Sequence, residues 1–298
     1  MKILILGRDG QVGTALTGVL AADHAIVAFG RKGADLAHPA GLAALVKREA
    51  PDVIVNAAAY TAVDKAESEP DVARLVNADS PAALAAAAAA SGAWLIHYST
   101  DYVFDGAKAE PYVEDDATGP LNVYGATKLA GERAIAGSGA KYLIFRTSWV
   151  HAPGRHNFIA KMLSLAQSRN ELRVIDDQVG APTSARLIAE ITQRAILQIE
   201  RDRPIAEGIY HLTASGETSW NGYARFVIGE ALARGFPLKA TPDKVLPVPT
   251  SAFPTPAQRP LNSRLSTRKL RDALAIDLPN WQDDVMGTLN TILPETAR

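Results

Sequence analysis

The chain has 298 residues, of which 47% are hydrophobic and 21% charged, with a formal net charge of −1. That balance fits a globular protein with a large core and excludes binding to nucleic acid or a membrane by bulk electrostatics. Cysteine is absent, which excludes disulfides and thiol chemistry and fits a reducing, cytoplasmic setting.

The N-terminal apolar run, Met1 to Gly7, is too short for a signal-peptide core or a membrane span, and so is the alanine-rich run from Ala82 to Ala90. Taken in chain order, short branched runs predict strands at Lys2 to Leu6, Ala25 to Phe29, Asp52 to Asn56, Trp94 to Ser99 and Tyr142 to Thr147. Between them, helical patterns cover Gln11 to Ala22, Leu42 to Ala50, one long region from Val72 to Ser91, and Leu121 to Ala136. Strand and helix in alternation predict an α/β fold, a Rossmann-type doubly wound parallel sheet with helices on both faces. After Ser148 the regularity drops. Prolines crowd the stretch from Pro237 to Pro260, which reads as an extended surface or binding loop. A last helical pattern from Ser266 to Ile292 is broken at Pro279. The expected division is a dinucleotide-binding domain over 1–150, with segments near 184–212 returning to it. Residues 151–298 would then form mainly a smaller, interleaved C-terminal substrate lobe.

The first strand runs into Gly7-Arg8-Asp9-Gly10-Gln11-Val12-Gly13, which opens a helix. Glycines at this spacing allow a tight turn and close approach to a pyrophosphate, while the helix N-terminus offers free N–H groups. Gly7, Gly10 and Gly13 are therefore candidate cofactor residues. Strand two ends in Phe29-Gly30-Arg31-Lys32 rather than in an acid. An acid there would bind a ribose 2′-hydroxyl; two cations favour a 2′-phosphate, hence NADP(H), unless they are simply solvated surface charges. Small residues in the run from Asn56 to Thr61 suit a flat cofactor at a strand's C-terminal end, or equally a packed turn.

Tyr124 and Lys128 are four residues apart, so a helix puts them on one face. A Lys⁺ beside a phenol is expected to lower the phenol's pKa, fitting Tyr124 to give a proton to a carbonyl oxygen as hydride reaches carbon. Thr100, at the end of the fourth strand, offers a hydroxyl to the same carbonyl, or a simple turn cap. Trp149 follows another strand, where it either stacks on a sugar face or fills the core.

These stretches together resemble the extended branch of the short-chain dehydrogenase/reductase superfamily and, within it, the dTDP-4-dehydrorhamnose reductases. The stretches that carry the likeness include GRDGQVG (7–13), HYSTDYVFDG (97–106), PLNVYGATKLAGE (120–132), FRTSWV (145–150), DDQVGAPT (176–183) and RPLNSRL (259–265), spread in order over nearly the whole chain. The resemblance implies NADPH, with NADH as a second donor, reducing the C4 ketone of dTDP-4-dehydro-L-rhamnose. It implies Tyr124 as proton donor, Lys128 as its partner and cofactor contact, and Thr100 as the residue that tunes Tyr124. It implies cofactor contacts at Gln11, Val12, Asp35, Leu36, Ala59, Tyr60 and Thr61, beside which Arg31 and Tyr98 are further candidates, and substrate contacts at Thr100, Asp101 and Trp149. Arg259 is expected to pair with the substrate's pyrophosphate through its planar fork.

Some relatives are thought to form metal-held dimers through acids on the first helix and on the helix after the GAPT stretch. The corresponding places here are Ala15 and Arg186, with Glu190 one turn further on. Arginine cannot ligate a hard cation, so no metal is expected, and the chain is expected to be a monomer or a weak homodimer. Two other readings stay open. One is a related nucleotide-sugar enzyme; a dehydratase is disfavoured because Tyr102 follows Asp101, and an epimerase because Gly30 and Arg31 replace an acid. The other is a non-catalytic regulatory subunit, against which stand Thr100, Tyr124 and Lys128.

Overall fold

The structure is a computed structural model, and it describes residues 1–154 and 157–293. Five strands, β1 (Lys2–Leu6), β2 (Ala25–Phe29), β3 (Val53–Asn56), β4 (Trp94–Thr100) and β5 (Lys141–Thr147), open the chain. Helices α1 (Gln11–Leu20), α2 (Leu42–Glu49), α3 (Val63–Ala66), α4 (Pro70–Arg74), α5 (Ser80–Ser91) and α6 (Val123–Ala136) join them. Then come β6 (Val150–His151), α7 (Phe158–Ser168), β7 (Leu172–Ile175), β8 (Val179–Gly180), β9 (Thr183–Ser184) and α8 (Ala185–Glu200). The chain continues through β10 (Gly208–His211), β11 (Thr218–Ser219), α9 (Trp220–Ala233), β12 (Val245–Val248), α10 (Arg268–Leu274) and α11 (Trp281–Ile292).

The branched runs become strands because both faces of the sheet are covered. Ile3, Ile5, Val53, Val55 and Ile96 point into one core with Leu16 of α1 and Ile188 of α8. Their neighbours Leu4, Leu6, Ile54 and Leu95 point into the other, with Leu45 of α2 and Leu84 of α5. Successive strand side chains face opposite ways, so a continuous apolar run feeds two cores at once. The sheet has six strands in the order β10-β5-β4-β3-β1-β2, and every pairing in it is parallel. This is the Rossmann-type doubly wound α/β fold that the alternation predicts. The strand order reverses between β1 and β3, where the connections diverge and leave a crevice at the strands' C-terminal ends.

The edge strand β10 comes from late in the chain and pairs with β5. Among the C-terminal elements, α7, β7, α9 and β12 share a separate small core in which Met162, Leu172, Val174, Ala224, Ile228 and Val245 meet, while α8, α10 and α11 pack into the first core. Among the described residues, no helix is long and apolar enough to cross a membrane.

The structure adds detail to one local expectation and corrects another. The region 72–91 is helical throughout, as expected, but not one uniform α-helix: a π-helical turn over Leu75–Asp79 joins α4, which ends at Arg74, to α5, which begins at Ser80. That turn aims Asn77 at the backbone of Tyr60, whose N–H it accepts at 2.9 Å and whose carbonyl it donates to at 3.1 Å. Wide turns of this kind occur often at functional sites. The proline-rich stretch is not wholly a loop either. Val245–Val248 is a strand paired in parallel with β7. Pro247 is tolerated there because β12 is an edge strand of a two-stranded sheet.

Candidate active site

The glycine turn between β1 and α1 is built for close approach. Gly7 has φ of +85°, and a Cβ on it would lie 2.6 Å from the Ala58 nitrogen. A Cβ on Gly13 would lie 2.0 Å from the Gly7 carbonyl oxygen. Any side chain at either position would force the β1 turn, β3 turn and α1 apart. No side chain caps the N-terminus of α1, so its first N–H groups face the crevice, a ready anion site.

A cleft of about 630 Å³ opens from this turn, a size suited to a small-molecule site. Its walls include Gly7, Gly10, Gln11, Val12, Arg31, Asp35 and Leu36 from the first half of the sheet. Ala59, Thr61, Tyr98, Tyr124 and Lys128 close the other side. Sequence reasoning therefore named many of the residues that the fold gathers into one cavity. Not all of them reach it. Gly13 lies beneath the turn as a packing residue. The phenol of Tyr60 turns away to donate to Glu69 at 2.7 Å, and the phenol of Tyr98 meets Thr192 of α8 at 2.7 Å. Val76 of the π-helical turn, Ser99, Thr147 and Asn157 also line the cleft and were not foreseen. Of these, only Asn157 carries a local signal, as an N-cap residue that accepts the Ala160 N–H.

Tyr124 and Lys128 share the face of α6 that packs on β4. Asn122 caps this helix by accepting the Gly125 N–H at 2.8 Å, and Gly125 lets the helix press on the Tyr102 carbonyl, 2.2 Å from where a Cβ would stand. Burial pushes the Tyr124 phenol up to about 12; its hydrogen bond with Thr100 acts the other way, and the charge of Asp101 adds to the rise. The expected lowering by Lys128 is thus not what the fold produces. The reason is geometric: Lys128 Nζ turns toward β4, donating to the Tyr98 carbonyl at 2.7 Å and lying 3.0 Å from His97 Nε2. Burial holds Lys128 down to about 8, against the opposing charge of Glu132. Glu132 is itself clamped by Arg146 of β5 through two bonds of 2.9 and 2.7 Å. The resting site therefore keeps its phenol protonated.

Thr100 donates to Asp101 Oδ1 at 2.9 Å and accepts the Tyr102 N–H at 3.1 Å. Burial raises Asp101 from the usual carboxylate range to about 6. Tyr102 stands edge-on to Tyr124, with ring centroids 5.8 Å apart. Trp149 and Arg259 lie outside the cleft walls. Trp149 has φ of +47°, a conformation that strains a bulky residue, and its ring stacks on Trp220 at 3.7 Å. The Arg259 guanidinium is engaged by Asp64 at 2.8 Å and Thr255 at 2.6 Å. Arg186 pairs with Glu190 at 2.7 Å. Among the described residues, no group of three or more His, Asp or Glu is placed to hold a metal ion.

The family model described as the RmlD substrate binding domain matches residues 1–293. The chain is 52% identical to the dTDP-4-dehydrorhamnose reductase of Escherichia coli K12, over 100% of both chains. The chain belongs to the dTDP-4-dehydrorhamnose reductase family. That membership makes it an NAD(P)H-dependent oxidoreductase. Among solved structures, the Clostridium acetobutylicum dTDP-4-dehydrorhamnose reductase is similar with a TM-score of 0.88 and 34% identity, covering 98% of this chain and 99% of that one. The Bacillus anthracis dTDP-4-dehydrorhamnose reductase, solved in complex with NADP, has a TM-score of 0.88 and 32% identity, covering 97% and 99%.

Proposed function

We propose that this chain reduces the C4 ketone of dTDP-4-dehydro-L-rhamnose to give dTDP-L-rhamnose, using NADPH in preference to NADH. The observation that carries the reading is the placement of Tyr124 and Lys128 in the wall of the same cleft that begins at the glycine turn. When bound, NADPH supplies the hydride. Gly7 and Gly10, with Gln11 and Val12, hold its pyrophosphate, Gly13 lets α1 pack close under the turn, and Arg31 faces a 2′-phosphate. Asp35, Leu36, Ala59, Tyr60, Thr61 and Tyr98 shape the rest of that cleft, Tyr60 and Tyr98 through the backbone.

Tyr124 holds its proton toward the ketone oxygen. As C4 gains its new C–H bond, the carbonyl π pair moves to oxygen, which takes the phenol proton; the resulting phenolate is then reprotonated from solvent. Thr100, oriented by Asp101, steadies the phenol and the sugar, and Trp149 and Arg259 contact the sugar nucleotide. Arg259 would have to exchange Asp64 for a phosphate oxygen, a swap its planar fork permits. We also assign residues 1–150, with 184–212, to the cofactor-binding unit and the rest of 151–298 to a substrate lobe. The protein would act in the cytoplasm as a monomer or weak homodimer.

Oxidation of NADPH, followed at the nicotinamide absorbance, is expected only when the keto sugar is generated in the same solution. Equal rates with NADH would remove the role given to Arg31, and no oxidation with either donor would contradict the reading.

A further inference from the structure

The sequence Phe29-Gly30-Arg31-Lys32 has no acid at the end of β2, yet the fold puts a carboxylate there. A Cβ on Gly30, the residue that follows β2, would collide with Oδ2 of Asp9. It would also lie 2.7 Å from Cγ and 3.2 Å from Oδ1 of the same group. Asp9 therefore fills the place from which a side chain of residue 30 would start. Gly30 has no positive φ, so it is the carboxylate, not the backbone conformation, that leaves no room for a Cβ.

The glycine turn is tied to this strand end, which fixes Asp9 over it. The Gly7 and Arg8 N–H groups both donate to the Phe29 carbonyl, at 2.9 and 3.2 Å. Arg8 Nη1 donates to the Ala28 carbonyl at 3.3 Å, and Arg8 Nε donates to Asp9 Oδ1 at 3.3 Å, which leaves Oδ2 toward Gly30. An acid just before a helix commonly caps it, but no side chain caps α1. Capping therefore does not account for where this carboxylate points. Asp9, Gly30 and Arg31 share one wall of the cleft with Gly7. Asp35, another acid of that wall, is already engaged: its Oδ1 accepts the Ala37 N–H at 3.0 Å, and its Oδ2 faces His38 at 3.5 Å.

We propose that Asp9 is a specificity-determining residue for the dinucleotide: from the glycine turn, its carboxylate accepts the 2′-hydroxyl of NADH and opposes the 2′-phosphate of NADPH. In a doubly wound sheet the group at the end of strand two meets the adenosine ribose, and an acid there holds the 2′-hydroxyl. A carboxylate accepts such a hydroxyl strongly and repels a phosphate as a like charge. Arg31 acts in the opposite sense, so Asp9 sets how far NADPH is preferred and keeps NADH usable as a second donor. The proposal rests on the reading of this cleft as the dinucleotide site.

The test is equilibrium binding to the full-length protein, without substrate or turnover. Titration of nicotinamide fluorescence gives Kd for NADH and for NADPH separately. Asp9 is exposed, and Asp9→Asn keeps its size while removing its charge. NADH binding is expected to weaken and NADPH binding to tighten. The ratio of the two constants should move toward NADPH by about tenfold or more, the usual worth of one hydrogen bond to a charged group. Asp9→Ala combined with Gly30→Asp moves the acid onto the strand end, and the ratio should return at least to that of the unmodified protein. A carboxylate that served only the shape of the turn would change both constants together. An unchanged ratio in Asp9→Asn, or a ratio moved by Asp35→Asn instead, would overturn the proposal and leave the cofactor site standing. Failure of the unmodified protein to bind either dinucleotide would overturn the site itself, and the proposal with it.

Discussion

Replacing Tyr124 by Phe is expected to lower kcat by about 100- to 10,000-fold, the usual contribution of a positioned general acid. NADPH binding, followed by titration of the nicotinamide fluorescence, should change by no more than a few fold. The substitution removes only the hydroxyl. The ring keeps its place because its edge-on contact with Tyr102 and its helix position do not depend on the oxygen. The residual rate would reflect binding and orientation alone. Because burial holds the phenol at about 12, the unmodified enzyme should keep its acid across the neutral range. Turnover within a few fold of the unmodified protein would show that the proton comes from another group.

Asp101→Asn is expected to make the protein more stable near neutral pH while slowing it. The folded protein raises the Asp101 pKa from 3.8 to about 6, so it binds this proton more tightly than the unfolded chain does. The stability that the protonated carboxyl confers is therefore complete below about pH 4 and lost as pH rises through about 6. At about 1.36 kcal/mol per unit, the buried charge costs up to about 3 kcal/mol at neutral pH. Asparagine is isosteric and stays neutral, and its carbonyl can still accept from Thr100. Urea unfolding at about pH 7 should show the variant ahead by that order, and at about pH 4 the gap should close. An equal gap at both values would mean that the carboxylate is not the source of the cost. The loss of rate would follow from a weaker hold on Thr100, since a charged acceptor binds a hydroxyl more strongly than a neutral amide does.

The sheet was legible because its strands are buried on both faces and so spell continuous apolar runs, as in the KILIL and DVIVN segments. The glycine turn was legible because its position, between the first strand and the first helix, limits what glycines at that spacing can do. Tyr124 and Lys128 could be placed together because helix geometry alone joins residues four apart. What stayed hidden depends on strand register and on tertiary packing. Asn56 and His97 are 41 residues apart and meet only because β3 and β4 pair in register. Each looks like an ordinary polar residue near a strand end. The direction in which Lys128 points was hidden for the same reason, and with it the height of the Tyr124 pKa. The π-helical turn has no local signature, because it exists to bring Asn77 to Tyr60 and to let Gly131 of α6 pass close to the Asn77 carbonyl. The pairing of β12 with β7 overrode a proline-rich composition because an edge strand needs only part of its N–H groups.

The atom on which the hydride ends decides the reaction most directly. NADPH carrying deuterium at nicotinamide C4, in the orientation that is transferred, should be turned over with dTDP-4-dehydro-L-rhamnose and the product examined by mass spectrometry and NMR. One deuterium at sugar C4 of dTDP-L-rhamnose, with one NADPH consumed per sugar reduced, is the predicted result. A sugar nucleotide recovered without deuterium, or converted with no net consumption of NADPH, would contradict it.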